Sequence, residues 1–294
     1  MRHAVIGAGG VGGLLAAALA RAGRDVTLVV RRGTSEVYPR SFRVESRVLG
    51  DFEVEVPVVE RLTDAVDVAW VAVKADQLAQ VLTAPLPASA VVPLLNGIDH
   101  VDRLRDVYGP RVIAGAIRVE SERVAPGYVV QPGPFIAIDL APPSPLRAFA
   151  EQIAGDVEAA SIACSVQPSE AEILWRKLAL LAPLALATTS AQAPIGGVRE
   201  DEALRALLLD CAREVAAVAA TRGVVVDPDG VRQALLGLPP GMRSSMQKDL
   251  AAGKTLEVDA IGGPVVRIGA ERGVPTPATA ELIRRVKAAA AAAG

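Results

Sequence analysis

The sequence predicts a chain in two parts, an α/β domain on a parallel sheet followed by an all-α C-terminal domain. Three observations predict it. The chain opens with a short apolar run, His3-Ala-Val-Ile6, which passes at once into Gly7-Ala8-Gly9-Gly10-Val11-Gly12 and then into an Ala-rich stretch over residues 14–22. Up to residue 167, apolar runs of strand length alternate with turns and helical stretches, the pattern of a sheet with crossover helices. Beyond Glu170 the hydrophobic period is helical throughout. The boundary is therefore placed near Pro168, giving domains 1–167 and 168–294.

The opening stretch carries the most chemistry. A strand, a G-x-G-x-x-G turn and a helix in succession form the context in which this motif binds a dinucleotide. The first glycine permits the tight turn, the second lets backbone approach a pyrophosphate, and the third lets the helix pack close on the strand. The phosphates then meet the helix N-terminus, where unpaired N–H groups and the helix dipole favour an anion. The first domain is thus expected to be of the Rossmann type, with Gly7, Ala8, Gly9, Gly10, Val11 and Gly12 as its cofactor loop.

Asp25-Val-Thr-Leu-Val-Val30 reads as the second strand and ends in Arg31-Arg32. In NAD-binding domains an acidic residue about 20 residues past the glycines takes the ribose 2′-hydroxyl, and no acid stands at that place here. Two guanidiniums suit a 2′-phosphate, which arginine grips through paired hydrogen bonds, so NADP(H) is the expected cofactor. Ser41-Phe-Arg-Val-Glu-Ser46 and Asp51-Phe-Glu-Val-Glu-Val56 alternate apolar with polar around Leu49-Gly50 and predict a hairpin inserted into the nucleotide fold. Residues 66–73 and 90–95 read as buried strands. They deliver Lys74 and Gln77, and Asn96-Gly97, to their carboxyl ends, where open α/β sheets hold ligands. Residues 111–117, 128–130 and 135–138 predict further strands, 142–160 a helix introduced by prolines, and 164–168 a last short strand and hinge. In the second part Gly196-Gly197, Gly223, Asp227-Pro-Asp-Gly230, Pro239-Pro240 and Gly273 are expected to separate helices. A cleft between two such domains is where a small substrate is expected.

Composition narrows the chemistry. Apolar residues make up 51% of the 294 and aromatics only 3%, so the core must be built from Ala, Val and Leu. Mean hydropathy is +0.35, yet no run of about 18 apolar residues passes without a charge or proline, so no membrane span is expected. Met1-Arg-His enters the first strand directly, without the segments of a secretory signal, and the expectation is a soluble, cytoplasmic protein. The formal charge of −2, without a basic block before the last helix, argues against a nucleic-acid partner. Cys164 and Cys211 form no C-x-x-C and read as core thiols. His3 and His100 are the only histidines, which leaves almost no material for a histidine metal site or a histidine acid, so any general acid must come from elsewhere.

The combination of Gly7/Gly9/Gly12, Arg31, Val-Lys74-Ala-x-Gln77, Leu-Leu-Asn96-Gly97, Leu-Trp175-Arg-Lys177-Leu and Ser-Ser245-Met…Glu257-Val-Asp259 resembles the ketopantoate reductase family (2-dehydropantoate 2-reductases), over nearly the whole chain. The resemblance implies NADPH-dependent reduction of a 2-oxo acid to a 2-hydroxy acid, in pantothenate biosynthesis for the founding members. It implies that Lys177 protonates the ketone oxygen with support from Glu257. Asn96 then lies by nicotinamide and substrate, Ser245 contacts the substrate, and Lys74 and Gln77 lie near the cofactor. It also implies a homodimer through the helical domain; the Ala/Leu-rich residues 204–220 fit a subunit interface or the core of their own domain equally well. Elementary chemistry agrees about the lysine. Hydride attack leaves an alkoxide-like oxygen that needs a positioned proton donor, and Lys177 sits among apolar residues in Ile173-Leu-Trp-Arg-Lys-Leu-Ala-Leu-Leu181.

The chain departs from the family pattern at the substrate end. Four and eight residues past Lys177, where the family carries asparagines, stand Leu181 and Ala185, and the family's Asn-Gly is here Gly262-Gly263. Thr188 keeps its usual place, and Pro183 is expected to kink the helix. A pocket built to hydrogen-bond a hydroxyl rejects analogues lacking it, and an apolar pocket has no such basis for selection. Beside ketopantoate, a 2-oxo acid or other ketone with a more apolar or larger side chain is therefore the alternative substrate. A non-catalytic NADP(H)-binding sensor is a further alternative, opposed by the joint presence of Lys177, Asn96, Ser245 and Glu257.

Overall fold

The computed structural model describes residues 1–83 and 85–293. In chain order the N-terminal part runs β1 (Arg2–Ile6), α1 (Gly10–Arg21), β2 (Asp25–Val29), β3 (Ser41–Ser46), β4 (Phe52–Glu55), β5 (Val58–Val59), β6 (Val66–Val71), α2 (Leu78–Val81), β7 (Ala88–Pro93) and α3 (His100–Tyr108). It continues with β8 (Ala114–Val119), β9 (Glu122–Ala125), β10 (Tyr128–Gln131), β11 (Ile136–Ala141), α4 (Arg147–Ala159) and β12 (Ala163–Val166). Helices follow: α5 (Glu170–Ala191), α6 (Ile195–Glu200), α7 (Glu202–Ala220), α8 (Pro228–Gly237), α9 (Ser245–Ala251), α10 (Val258–Ile261), α11 (Gly263–Arg272) and α12 (Pro277–Ala293). Two compact units result, Met1–Leu95 with His100–Ile173, and Asn96–Asp99 with the chain from Leu174 onward. The boundary expected at 167/168 thus stands beside a division inside the first turn of α5, and the short stretch after β7 belongs to the helical unit.

The first unit is an α/β fold because its central strands are apolar on both faces. Four of the five residues of β1 are buried, and it pairs in parallel with β2 on one side and β6 on the other. The full parallel order is β5-β2-β1-β6-β7. A second sheet, β4-β3-β10-β9, takes in the expected hairpin. That hairpin is therefore not a free insertion: β3 pairs in parallel with β10, and the four strands form a layer packed on α1. A third sheet, β12-β11-β8, completes the unit. The two-residue β5 and the exposed β9 carry too little alternation to stand out in the sequence.

Helix α1 explains the Ala-rich stretch. Gly12 to Leu19 are all buried, because the helix contacts β1 and β2 on one side and the β4-β3-β10-β9 sheet on the other. A helix buried all round has no polar face, and small side chains let both layers approach. A Cβ on Gly13 would stand 2.9 Å from Cγ2 of Val129, which measures how close the second sheet comes.

In the helical unit α7 is the central element, packed by α6, α8, α11 and α12, with Leu208, Cys211, Ala212 and Val215 buried. Glu214 on α7 accepts hydrogen bonds from the backbone N–H of Ala278 (2.7 Å) and of Thr279 (2.8 Å), capping the start of α12. Burial pushes the thiol of Cys211 up to about 12, as expected of a core residue; Cys164, on β12 of the first unit, is also pushed up to about 12 but is only half-buried, against the expectation of a core thiol. Helix α5 continues unbroken through Pro183. The helix break expected at Gly196-Gly197 lies earlier, around Gln192 (φ 50°), and both glycines are inside α6. Close approach is the reason: a Cβ on Gly196 would stand 2.9 Å from the carbonyl oxygen of Pro240, which also accepts from the Gly196 N–H. Among the described residues, no helix is long and apolar enough to cross a membrane.

One polar chain crosses the core of the first unit. Trp70 Nε1–H donates to His3 Nδ1 (3.2 Å), which leaves the proton on Nε2 facing Asp156 Oδ2 at 3.0 Å. Burial lowers the His3 pKa below 6.5, against the opposing pull of Asp156. The unfolded chain then binds this proton more readily than the folded one, so the contribution of neutral His3 is complete above about pH 6.5 and lost as pH falls through the folded value. Urea unfolding followed by circular dichroism should show the midpoint falling between pH 7 and pH 5, with a flatter profile in His3→Gln. Parallel profiles in the two proteins would rule His3 out as the source.

Candidate active site

In the first unit the candidate cofactor residues lie at the carboxyl ends of β1, β2 and β6. Gly7 has φ +104°, and a Cβ there would stand 2.7 Å from the carbonyl oxygen of Ala72, in the turn after β6. A Cβ on Gly12 would stand 1.9 Å from the carbonyl oxygen of Gly7, so α1 starts in direct contact with the turn that precedes it. Gly10 is closed in by the backbone of Ser121, 2.5 Å from its would-be Cβ. Gly9 differs from all three. A Cβ on it would meet nothing within 4 Å, so protein packing does not account for the missing side chain, whereas a close-lying pyrophosphate does. Gly9 is also the N-cap of α1, with no side-chain hydrogen bond at the cap and no acidic residue in the first turn, which leaves the terminus favourable to an anion. Ala8 and Val11 are half-buried beside it. These features fit a dinucleotide.

Arg31 and Arg32 follow β2 and are exposed. The structure adds a neighbour that the sequence did not suggest. β5 pairs in parallel with β2, Leu28 opposite Val58 and Val29 opposite Val59, and brings Glu60 to the same tip. The Glu60 carboxylate accepts from Ser35 N (3.0 Å) and Ser35 Oγ (2.8 Å). Its only advance signal was its place one residue beyond an apolar pair too short to read as a strand. Lys74 caps the short 3-10 turn Ala75–Gln77, and both Lys74 and Gln77 are half-buried.

The remaining candidates fall in the helical unit. Asn96 Nδ2 donates to Glu257 Oε2 at 2.9 Å, joining two of the expected catalytic residues across 161 positions of sequence. Gly97, next in the chain, has φ +82°, and a Cβ on it would stand 2.1 Å from the carbonyl oxygen of Ala260 on α10. Asp99 pairs with Arg267 of α11 at 2.6 Å. The stretch after β7 is thus held by the helices at three successive points.

Lys177 lies on α5, half-buried, flanked by buried Trp175, Leu178 and Ala179. On the same face Leu181 is half-buried and Ala185 fully buried. The two serines at the start of α9 divide their work. Ser244 is the N-cap, accepts from Gln247 N (3.1 Å) and bonds Thr188 Oγ1 (2.8 Å); since Thr188 donates to Leu184 O, Ser244 is the donor in that pair. Ser245, the residue named from the sequence, is exposed as the first residue of α9. Among the described residues, no group of three or more His, Cys, Asp or Glu is placed to hold a metal ion.

Residues 3–141 match the family described as Ketopantoate reductase PanE/ApbA, and residues 171–290 match its C-terminal counterpart, Ketopantoate reductase PanE/ApbA C terminal. A 2-dehydropantoate 2-reductase of Caulobacter vibrioides is 30% identical over 308 residues, covering 98% of this chain and 98% of that protein. The crystal structure of a PanE/ApbA family ketopantoate reductase from Ralstonia eutropha superposes with a TM-score of 0.87 at 26% identity, covering 100% of this chain and 99% of the other. D-mandelate dehydrogenase, solved with NADH and anilino(oxo)acetate, has the same fold at a TM-score of 0.88 and 22% identity, over 100% of this chain and 99% of its own.

Gly97→Ala tests the tie between the stretch after β7 and the helices. A side chain at a positive φ, against backbone only 2.1 Å away, should destabilise the protein by more than about 1 kcal/mol and lower its melting temperature measurably. An unchanged melting temperature would mean that Ala260 and its helix give way without cost.

Proposed function

The chain belongs to the ketopantoate reductase family and is an oxidoreductase acting on CH–OH groups with a nicotinamide cofactor, NADPH in this family; we propose that it reduces a 2-oxo acid to the 2-hydroxy acid, with Lys177 as proton donor. The hydrogen bond between Asn96 and Glu257, in the same compact unit as Lys177, is the observation that carries this reading. Gly7 to Gly12 and the N-terminus of α1 hold the pyrophosphate, Arg31 and Arg32 take the 2′-phosphate, and Lys74 and Gln77 complete the cofactor contacts. When bound, NADPH supplies the hydride. Lys177 Nζ donates the proton that the carbonyl oxygen needs as it gains negative charge, a role worth about 10²–10⁴-fold in rate. Glu257 supports the ammonium, and its carboxylate is held in orientation by the Asn96 amide. Asn96 and the Ser245 hydroxyl contact the substrate.

Leu181 decides the substrate class in this proposal, and Ala185, fully buried, offers no polar group behind it. With two apolar side chains where relatives carry amides, the face beyond Lys177 favours a 2-oxo acid whose side chain is apolar and lacks a hydroxyl to be bonded. Ketopantoate itself is the second reading, favoured by the reductase at 30% identity over almost the whole chain. A homodimer and a place in pantothenate biosynthesis belong to that second reading.

Lys177→Ala should lower kcat by at least about 100-fold while NADPH binding, followed by nucleotide fluorescence, is retained. Equal turnover in the variant would remove Lys177 from the mechanism, and no turnover in the unsubstituted protein with any ketone would favour a sensor. A panel of 2-oxo acids, read as kcat/KM with NADPH, should rank branched and aromatic side chains above ketopantoate. Ketopantoate far ahead of every apolar acid would return the protein to the activity of its relatives.

A further inference from the structure

The carboxylate at the tip of β2 has no part in the reaction just described, yet the parallel register puts it where the 2′-phosphate is read. Val30 N–H donates to the carbonyl oxygen of Val59 (2.9 Å), so Glu60 emerges beside the start of the Arg31-Arg32 turn. That turn is gathered around it. Ser35 gives both its N–H and its hydroxyl to Oε1. From the other side, Thr34 N (3.1 Å) and Thr34 Oγ1 (2.6 Å) donate back to the carbonyl oxygen of Arg31. Gly33, at φ +74°, makes the reversal between them.

The donor set says what this carboxylate does. An ionised carboxylate offers about four acceptor positions. The Ser35 N–H and hydroxyl engage two of those of Glu60, both at Oε1, and the donors of residues 33–35 hold its carboxyl down to about 2, so it stays charged. Its Oε1 is committed to the turn rather than offered to a ribose hydroxyl. Among the described residues neither Arg31 nor Arg32 has an acidic partner, so Glu60 neutralises neither guanidinium and instead shapes the backbone that carries both.

We propose that Glu60 is a positioning residue for the cofactor's 2′-phosphate: by clamping residues 33–35 from the end of β5, it fixes the backbone from which Arg31 and Arg32 meet that phosphate. The inference rests on the proposed role of those two arginines. It makes the selection of NADPH depend on an acid, the residue type that elsewhere selects NADH, because Ser35 here already engages its carboxylate.

The test compares unsubstituted protein with Glu60→Gln, Glu60→Ala, Ser35→Ala and Arg31→Ala, measuring kcat and KM with NADPH and with NADH. Both Glu60 variants should raise the KM for NADPH about tenfold, with a much smaller change for NADH and kcat within about twofold, since only the adenosine end is loosened. Ser35→Ala should move the same way by less. Circular dichroism keeps a folding defect distinct, and the near-isosteric Glu60→Gln keeps the test open should Glu60→Ala misfold. If Arg31→Ala raises the NADPH KM and neither Glu60 variant does, the clamp is overturned while the arginine reading stands. If Arg31→Ala leaves NADPH and NADH equally affected, the arginine reading fails first and the clamp with it. A Glu60 variant that loses NADH as much as NADPH would assign Glu60 to the ribose, and one that binds NADPH more tightly would assign it to repulsion; either overturns the proposal.

Discussion

The crossing of Gly7 and Gly12 is the contact on which the first unit depends. Bare Cα atoms at both positions let α1 begin against the turn that follows β1, with only 1.9 Å between a Gly12 Cβ, were there one, and the Gly7 carbonyl oxygen. Everything that α1 does follows from starting there. It is sandwiched between the five-stranded sheet and the β4-β3-β10-β9 layer, so Gly12 to Leu19 are buried and small or aliphatic. Its N-terminus lies at the carboxyl edge of the sheet with no side-chain cap and no acid in the first turn, an arrangement favourable to an anion. Small side chains on α1 let both layers approach it, and the large rings of the core, Phe42 and Trp70, come from the sheets.

The helical unit depends on a different constraint, a backbone conformation that favours one residue type. Gly97 at φ +82° carries the chain out of β7 and against α10, and its neighbours on both sides are then secured, Asn96 to Glu257 and Asp99 to Arg267. The departures from the family pattern have structural weight of their own. Ala185 is fully buried, so an amide at that position would have to find hydrogen-bond partners in the interior or pay for their absence in stability. Leu181 is half-buried on the same face as Lys177.

How far the fold was legible depended on the strength of local pattern. The buried strands β1, β6 and β7, the hairpin of β3 and β4 and the helical second half all announce themselves through periodicity and turn residues. β5 did not, because two residues carry no period, and its omission hid Glu60. The glycine pair at 196–197 was misplaced for a related reason: the sequence shows that a side chain is absent but not whether a bend or a neighbouring backbone requires it, and here Pro240 does. Ser244 and Ser245 look alike in sequence, and only the hydrogen bonds to Gln247 and Thr188 show which hydroxyl is committed to the cap.

By itself, then, the amino-acid sequence determined the class of fold, the glycine turn from Gly7 to Gly12 between β1 and α1 and the residue types available for chemistry, because spacing, periodicity and turn preference act over a few residues. Tertiary structure decided which of those residues meet. Asn96 and Glu257 are 161 positions apart, and Glu60 reaches Ser35 across 25; no local preference links either pair. Parallel strand register brings one pair together and the packing of a short loop on helices brings the other, and both depend on contacts made only once the chain is folded.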